Sequence, residues 1–147
     1  MVARQAVLAD LADGVLALSR EIEFRHRYDD VIPLTLNERL ALRVIDRAGG
    51  IAPSELAEML GLQRSNLSTA LRGLETKGLV TREHDGGDGR AVVVRSTALA
   101  AENLQRLRDG WAGVLAEVAP RDADLDAVAR LLNEMTAALI AQRRLED

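Results

Sequence analysis

Cysteine is absent from this 147-residue sequence, and aromatic residues are rare, since Phe24, Tyr28 and Trp111 are the only three. Without cysteine the chain can form no disulfide and cannot sense oxidants through a thiol. With so few rings, its core must consist mainly of leucine, valine, isoleucine and alanine, which suits packed helices. No apolar run approaches the roughly 18 residues of a membrane span, and the start of the chain does not resemble a signal peptide. We therefore expect a cytoplasmic protein without a membrane segment.

Sequence signatures of enzymes and metal sites are also missing. The two histidines, His26 and His84, have no cysteine partners and no second histidine at metal-binding spacing, so we predict no metal site and no cofactor. No glycine motif typical of phosphate binding, dinucleotide binding or a serine nucleophile occurs. We therefore predict no catalytic residues and do not expect an enzyme.

Two short helical patterns joined by a glycine occupy residues 53–76. Each has one apolar stripe at helical spacing, formed by Leu56, Ala57 and Leu60 in the first and by Leu67, Ala70, Leu71 and Leu74 in the second. Pro53 suits the first turn of a helix, and Gly61 can adopt the positive φ that ends one. Two short helices with such a turn match the helix-turn-helix motif, whose second helix enters the major groove of DNA.

The outward face of the second helix carries polar and basic side chains that can bind base edges or phosphates. From this helix, from Gln63 just before it and from Ser54 on the first helix, we predict DNA contacts by Ser54, Gln63, Arg64, Ser65, Asn66, Ser68, Thr69 and Arg72. Any solvent-exposed helix can carry a similar face, so this face alone does not distinguish a DNA-binding helix from an ordinary surface helix.

A charged hairpin pattern follows the second helix. Residues 79–84 and 90–95 are typical of two strands around a glycine-rich tip at 85–89. A hairpin in this place is a wing, and its arginines, Arg82 and Arg90, can contact the backbone or the minor groove. Residues 61–95 carry a net charge of +2, whereas residues 1–60 and residues 96–147 each carry −3. The basic part of the chain thus coincides with the predicted DNA-binding surface.

These segments together resemble the MarR family of transcriptional regulators. The resemblance extends from about Leu34 to Leu107, and more loosely over the whole chain, and it rests on four segments: LTLNERLALRVI, SELAEMLGLQRSNLS, LRGLETKGLVTR and DGGDGRAVVV. This sequence departs from the usual family pattern at three positions. Ala52 stands where a threonine or serine cap is usual, Thr69 stands where an arginine is common, and Gly73 lies inside the second helix.

The resemblance implies specific roles. Arg64, Ser65, Asn66 and Ser68 would face the major groove, while Arg90 would be the wing-tip arginine, oriented by Asp88. Relatives are typically dimeric repressors released by small aromatic or anionic ligands that bind where the dimer helices meet the winged domain. Residues that could face such a ligand are Arg25, His26, Tyr28 and Trp111.

Long amphipathic helices are predicted at both ends of the chain. Apolar residues recur at helical spacing from Val7 to Ile22, and again from Leu125 to Leu139 in a helix that we expect Asp122 to cap. The first helix could cover the core of its own domain or pair with a second chain, whereas the continuous seams of the terminal helices are better explained by a partner subunit. The resemblance favours the homodimer.

The predicted fold is mainly α, a winged helix-turn-helix (α+β) with long N- and C-terminal dimerisation helices. The predicted parts are an N-terminal dimerisation helix (residues 1–33), the DNA-binding domain (34–96) and C-terminal dimerisation helices (97–147). The predicted function is that of a sequence-specific regulator, a repressor that binds a pseudo-palindromic operator in double-stranded DNA and is modulated by a small molecule. The alternative is a winged-helix module for protein-protein assembly with no operator of its own.

Overall fold

The computed structural model describes residues 2–25, 30–84 and 92–146. In these ranges the chain forms six helices and one small sheet. They are, in order, α1 (Val2–Arg25), α2 (Leu36–Ala48), α3 (Pro53–Leu60), α4 (Arg64–Thr76), β1 (Val80–His84), β2 (Val92–Ser96), α5 (Ala98–Ala116) and α6 (Leu125–Glu146). No helix in the described ranges is long and apolar enough to cross a membrane. The mainly helical architecture is the one that the sequence predicts.

The middle of the chain, from α2 to β2, forms a winged helix-turn-helix. The two strands pair in antiparallel register, and Ile51 adds a one-residue bridge to Val94. The predicted hairpin tip lies outside the described residues, and so do Asp88 and Arg90. Helix α4 packs across α2, while α3 lies against both α4 and β2.

An aliphatic core holds these elements together. The largest fully buried side chains are Leu42, Ile45, Leu56, Leu71, Leu74, Leu79, Leu107 and Val94. They come from α2, α3, α4, β2 and α5, and Leu79 is the residue directly before β1. Each element of the winged unit contributes buried apolar residues to one cluster. The predicted stripe of the second helix, Leu67 to Leu74, is buried as expected.

The ends of α2 follow the signals in the sequence. Thr35 and Glu38 have the sequence spacing that is typical of a capping box. In the structure Thr35 accepts a hydrogen bond from the Glu38 amide, and the Glu38 side chain accepts one from the Thr35 amide, so the capping box forms. Gly49 ends the helix at a φ of 66°. Ala52 provides no side-chain cap for α3, which instead begins with Pro53 at its first position.

The prediction that Asp122 caps the last helix is wrong. Helix α6 begins at Leu125, and Asp124 accepts the Ala127 amide at 2.9 Å. An N-cap side chain must reach the amide three residues ahead, so the cap is the residue directly before the helix. Asp122 lies two residues too early for this role.

The loop between α1 and α2 is pinned to α5 by buried Asn103. Its side chain accepts the Ile32 amide at 2.7 Å and donates to the Ile32 carbonyl at 3.1 Å. Arg106, one turn further along α5, donates to the Asp30 carbonyl. Residues 30–32 of this loop are therefore held beside α5.

The two terminal helices leave most of their apolar residues exposed. On α1, the seam residues Val7 and Leu18 are 65% and 48% exposed. On α6, the exposed apolar residues are Leu125, Val128, Leu131, Met135 and Leu139. The seams predicted at both ends of the chain are thus real helical faces that a single chain does not bury.

Candidate nucleic-acid interface

Helix α4 presents a continuous polar face to solvent. Its apolar stripe is buried against α2 and α3, so the other side of the helix must point outward. The predicted contact residues on this exposed face are Gln63, Arg64, Ser65, Asn66, Ser68, Thr69 and Arg72. The face contains two arginines and no carboxylate, so its charge suits a polyanion.

The N-terminal end of α4 opens on a shallow groove beside α3. Ser54 and Glu58 of α3 line it together with Gly61, Gln63 and Arg64. The predicted residue Ser54 is therefore close to the start of α4, although it comes from the neighbouring helix. Gln63 occupies the N-cap position, but its side chain does not cap the helix. The first amides of α4 thus remain available to a phosphate oxygen.

Two of the predicted contact residues also bond within the helix. The Thr69 hydroxyl donates to the Ser65 carbonyl at 3.0 Å, and Arg72 donates to that hydroxyl at 3.4 Å. The contact from Arg72 is long and exposed, so this side chain can turn toward a phosphate at little cost. Thr69 is short and already bonded to its own helix, which leaves it better suited to orienting Arg72.

The base of the wing is tied to the rest of the unit by ion pairs. Arg82 on β1 lies 2.8 Å from Glu75 near the end of α4, so this ion pair holds the hairpin against α4. Arg95 on β2 pairs with Glu83 and donates to the Gly49 carbonyl. Arg82, predicted as a DNA contact, therefore has a structural partner as well.

The orientation of α4 depends on a contact that the sequence does not reveal. Glu38 on α2 is only 5% exposed and lies 2.6 Å from the Lys77 ammonium, which also donates to the Pro33 carbonyl at 2.9 Å. Gly73 faces this pair, and a methyl group there would overlap the Glu38 carboxylate and lie 3.2 Å from its carboxyl carbon. The interior glycine therefore allows α2 and α4 to approach closely.

The Glu38 carboxylate is held in its charged form. Burial raises its pKa, but the hydrogen bonds from Lys77 and Thr35, together with the Lys77 charge, outweigh burial and leave the pKa below its ordinary value. The same carboxylate caps α2 and binds Lys77, just after α4, so it links the two helices. The capping-box pattern identified the first of these roles but not the second.

Of the four residues predicted to face a ligand, two lie outside the described residues, namely His26 and Tyr28. Arg25 is exposed at the end of α1 beside Glu21 and lines neither of the cavities described next. Trp111 on α5 is half-buried, with the Arg39 guanidinium 5.6 Å from its ring centroid. The structure thus supports Trp111 as a cavity residue but does not bring Arg25 to it.

Trp111 lies between two adjoining cavities that also share Arg43. One, of about 320 Å³, is lined by Arg43, Asp46, Arg47, Ala101, Leu104, Gln105, Arg108 and Trp111. The other, of about 450 Å³, is mostly apolar and lies among α1, α2, α5 and α6, with Ile22, Leu40, Leu115 and Leu132 in its wall. Within the described ranges, no group of three or more histidines and carboxylates is arranged to hold a metal ion.

The first cavity is strongly basic. Burial lowers the pKa of Arg43, and the charges of Arg47, Arg108 and Arg39 lower it further. Arg43, Arg47 and Arg108 form no ion pair within the part of the chain that the structure describes. Sequence reasoning missed this cluster because its members come from α2 and α5, although the spacing of Arg39, Arg43 and Arg47 on one helix face was visible.

Comparisons with known proteins agree with this architecture. A model of the MarR family matches residues 32–91. The chain is 28% identical over 106 residues to an uncharacterised HTH-type transcriptional regulator of Mycobacterium leprae, covering 70% of this chain and 72% of that protein. It is 32% identical over 98 residues to an HTH-type transcriptional repressor of Mycobacterium tuberculosis, covering 67% of this chain and 64% of that protein.

Among solved structures, the chain is similar to the multiple antibiotic resistance repressor, MarR. The two are 25% identical with a TM-score of 0.65, and the match covers 90% of this chain and 94% of that one. The likeness therefore includes the terminal helices as well as the winged unit.

Proposed function

Because the chain belongs to the MarR family, whose model matches its winged unit, we propose that it is a sequence-specific DNA-binding regulator of transcription. We propose further that it is a homodimeric repressor. The observation that carries the proposal is the exposed face of α4 from Gln63 to Arg72, which is polar and has no carboxylate. The Glu38–Lys77 pair fixes the helix that carries this face to α2. A rigid helix with such a face can enter a major groove and read base edges.

The apolar faces of α1 and α6 support the homodimer. The exposed side chains there include Val7 at 65%, Leu18 at 48% and Leu139 at 65%. Burying one leucine or valine side chain contributes about 1.5–3 kcal/mol, and soluble monomers rarely leave such long apolar stripes in water. We infer that residues 1–33 and 97–147 of two chains pack together, with residues 34–96 of each serving as a reading head.

A two-fold dimer would present two recognition helices, one from each chain, to the same DNA. Its two copies of α4 would lie about 34 Å apart, or a multiple of that, and would read two half-sites of a pseudo-palindromic operator. Any ligand that changes this distance or angle would release the DNA.

The adjoining cavities beside Trp111 are the site that we propose for such a ligand. The apolar cavity offers space for a ring, and the basic cavity offers Arg43, Arg47 and Arg108 to a carboxylate. Arginine binds carboxylates through paired hydrogen bonds, so a small aromatic acid fits both halves. Titration with a series of small aromatic carboxylates can be followed by the fluorescence of Trp111, the only tryptophan. We expect Arg43→Met to weaken binding, whereas Arg121→Met in the loop after α5 should not.

The experiment that tests the proposed function is selection from random duplexes. We expect the protein to enrich one two-fold-related sequence. The variant Asn66→Ala should then change the preference among operator variants. By contrast, Arg72→Ala should weaken binding to all of them and lower the salt slope by about 0.9, the value of one lost phosphate contact. The matched control is Arg121→Ala. Failure of the wild-type protein to enrich any sequence would favour the protein-protein module instead.

A further inference from the structure

The far end of α6 contacts the turn of the helix-turn-helix. Arg143, three residues before the helix ends, donates to the Met59 carbonyl at 2.6 Å, although the two residues are 84 positions apart in the chain. Met59 belongs to the last turn of α3, where a helix leaves its final carbonyls without partners. The Arg143 charge also lies at the negative end of the α3 dipole, which favours a cation there.

The turn itself is shaped around the Arg143 side chain. Gly61 adopts a φ of 61°, which favours glycine, and a methyl group there would lie 2.9 Å from the guanidinium carbon and from Nε. The Nε atom is buried, and no hydrogen-bond partner for it is found among the described residues. The Arg143 guanidinium therefore packs against the turn as well as donating to the Met59 carbonyl.

The turn connects the Arg143 contact to the start of α4. The amide of Gly61 bonds the Ala57 and Glu58 carbonyls, and only Leu62 and Gln63 separate it from Arg64, where α4 begins. A displacement of α6 relative to α3 would therefore move the N-terminal end of α4. That end is the part of a recognition helix that contacts base edges.

We propose that Arg143 is a positioning residue for DNA binding, which fixes the α3–α4 turn to the dimer helix α6 and so sets the angle of the recognition helix. Its effect on DNA rests on the proposed function, whereas its effect on the angle is a property of the free protein. A dimer reads two half-sites tightly only if both heads keep a fixed angle. Loss of Arg143 should therefore broaden the range of angles between each reading head and α6, while the chain stays folded.

The first test measures the angle without DNA. Because the chain has no native cysteine, spin labels can be attached at Ser68→Cys on α4 and Glu134→Cys on α6, both of which are exposed. Excess unlabelled protein isolates the distance within one chain. We expect a narrow distribution with Arg143 present and a broad or shifted one in Arg143→Met. The matched control is Arg130→Met, an exposed arginine of the same helix. Arg143→Lys, which keeps a charged donor, should restore the narrow distribution.

The second test measures DNA binding with operators of different spacing. The selected operator is compared with a copy that has one base pair inserted between its half-sites. We expect Arg143→Met to bind the selected operator about fivefold more weakly or worse, the lower end of coupling between linked sites. The variant should also discriminate less between the two spacings. A loss of stability alone would weaken both duplexes equally and leave their ratio unchanged.

Each outcome decides a separate point. An unchanged distance distribution in Arg143→Met overturns the positioning role whatever the DNA result. A broader distribution with an unchanged ratio of affinities confirms the contact but refutes its role in DNA binding. If the wild-type protein selects no operator, the proposed function fails, while the distance measurement still decides whether Arg143 fixes the turn. Should Arg143→Met not fold, Arg143→Gln replaces it in both measurements with the same expected results.

Discussion

The close approach of α2 and α4 gives a sharp prediction for Gly73→Ala. Alanine is the better helix former, and an unconstrained helix would gain about 1 kcal/mol from this change. Here the new methyl group would overlap the Glu38 carboxylate. The carboxylate cannot simply turn away, because it is buried and bonds Lys77 and the Thr35 amide. Either α4 shifts from α2, or Glu38 loses one of its partners.

The magnitude follows from these two alternatives. Overpacking a core costs about 1–3 kcal/mol, and losing a hydrogen bond to a charged group costs about 1.5–3 kcal/mol. With about 1 kcal/mol of helix propensity set against either cost, we expect Gly73→Ala to lower the free energy of unfolding by up to about 2 kcal/mol. Urea unfolding at neutral pH measures this quantity.

Two further variants make the reasoning refutable. Gly113 on α5 is also helical, but among the described residues no atom beyond its chain neighbours and the nearby backbone of α5 lies within 4 Å of an added methyl group. Gly113→Ala should therefore stabilise by about 0.5–1 kcal/mol. In a Glu38→Ala background the overlap is gone, so Gly73→Ala should become neutral or stabilising. If Gly73→Ala stabilises the wild-type protein as Gly113→Ala does, the argument for a space-limited contact is wrong.

Three other predictions follow from the structure. The pKa of the Glu38 carboxyl is lower in the folded chain than its ordinary value of 4.5. The charged carboxylate therefore stabilises the folded chain above that pH, and this stabilisation is lost as the pH falls through the pKa of the folded chain. We expect the difference in unfolding free energy between wild type and Glu38→Gln to shrink from pH 7 to pH 3. Asn103→Ala leaves the Ile32 amide and carbonyl without their partner and should cost about 2–4 kcal/mol in urea unfolding, whereas an unchanged value would remove the loop contact from the account. Leu139→Glu on α6 should convert dimer to monomer in sedimentation velocity, while Glu134→Gln should not.

The local features of the fold were predictable from the sequence because short-range chemistry determines them. The Thr35–Glu38 capping box, the stop at Gly61 and the buried stripe of α4 each involve residues within a few positions of one another. The cap of α6 was predicted wrongly because Asp122 and Asp124 are both suitable caps, and only the observed start of the helix separates them.

The remaining features depend on contacts between distant residues, which no local pattern reveals. Gly73 counts as a defect in an isolated helix, and only the position of Glu38, 35 residues earlier, explains it. The contact between Arg143 and Met59 and the arginine cluster beside Trp111 likewise bring together separate helices. The polar face of α4 could be listed from the sequence, but its exposure depends on which side of the helix the core covers.

The central claim is that two identical chains, joined by their terminal helices, place two recognition helices on one operator. Sedimentation velocity of the selected duplex with increasing amounts of protein tests this claim most directly. We expect a single complex that contains two chains per duplex and that dissociates when salt is raised. A complex with one chain per duplex, or free DNA at every protein concentration, would contradict the claim.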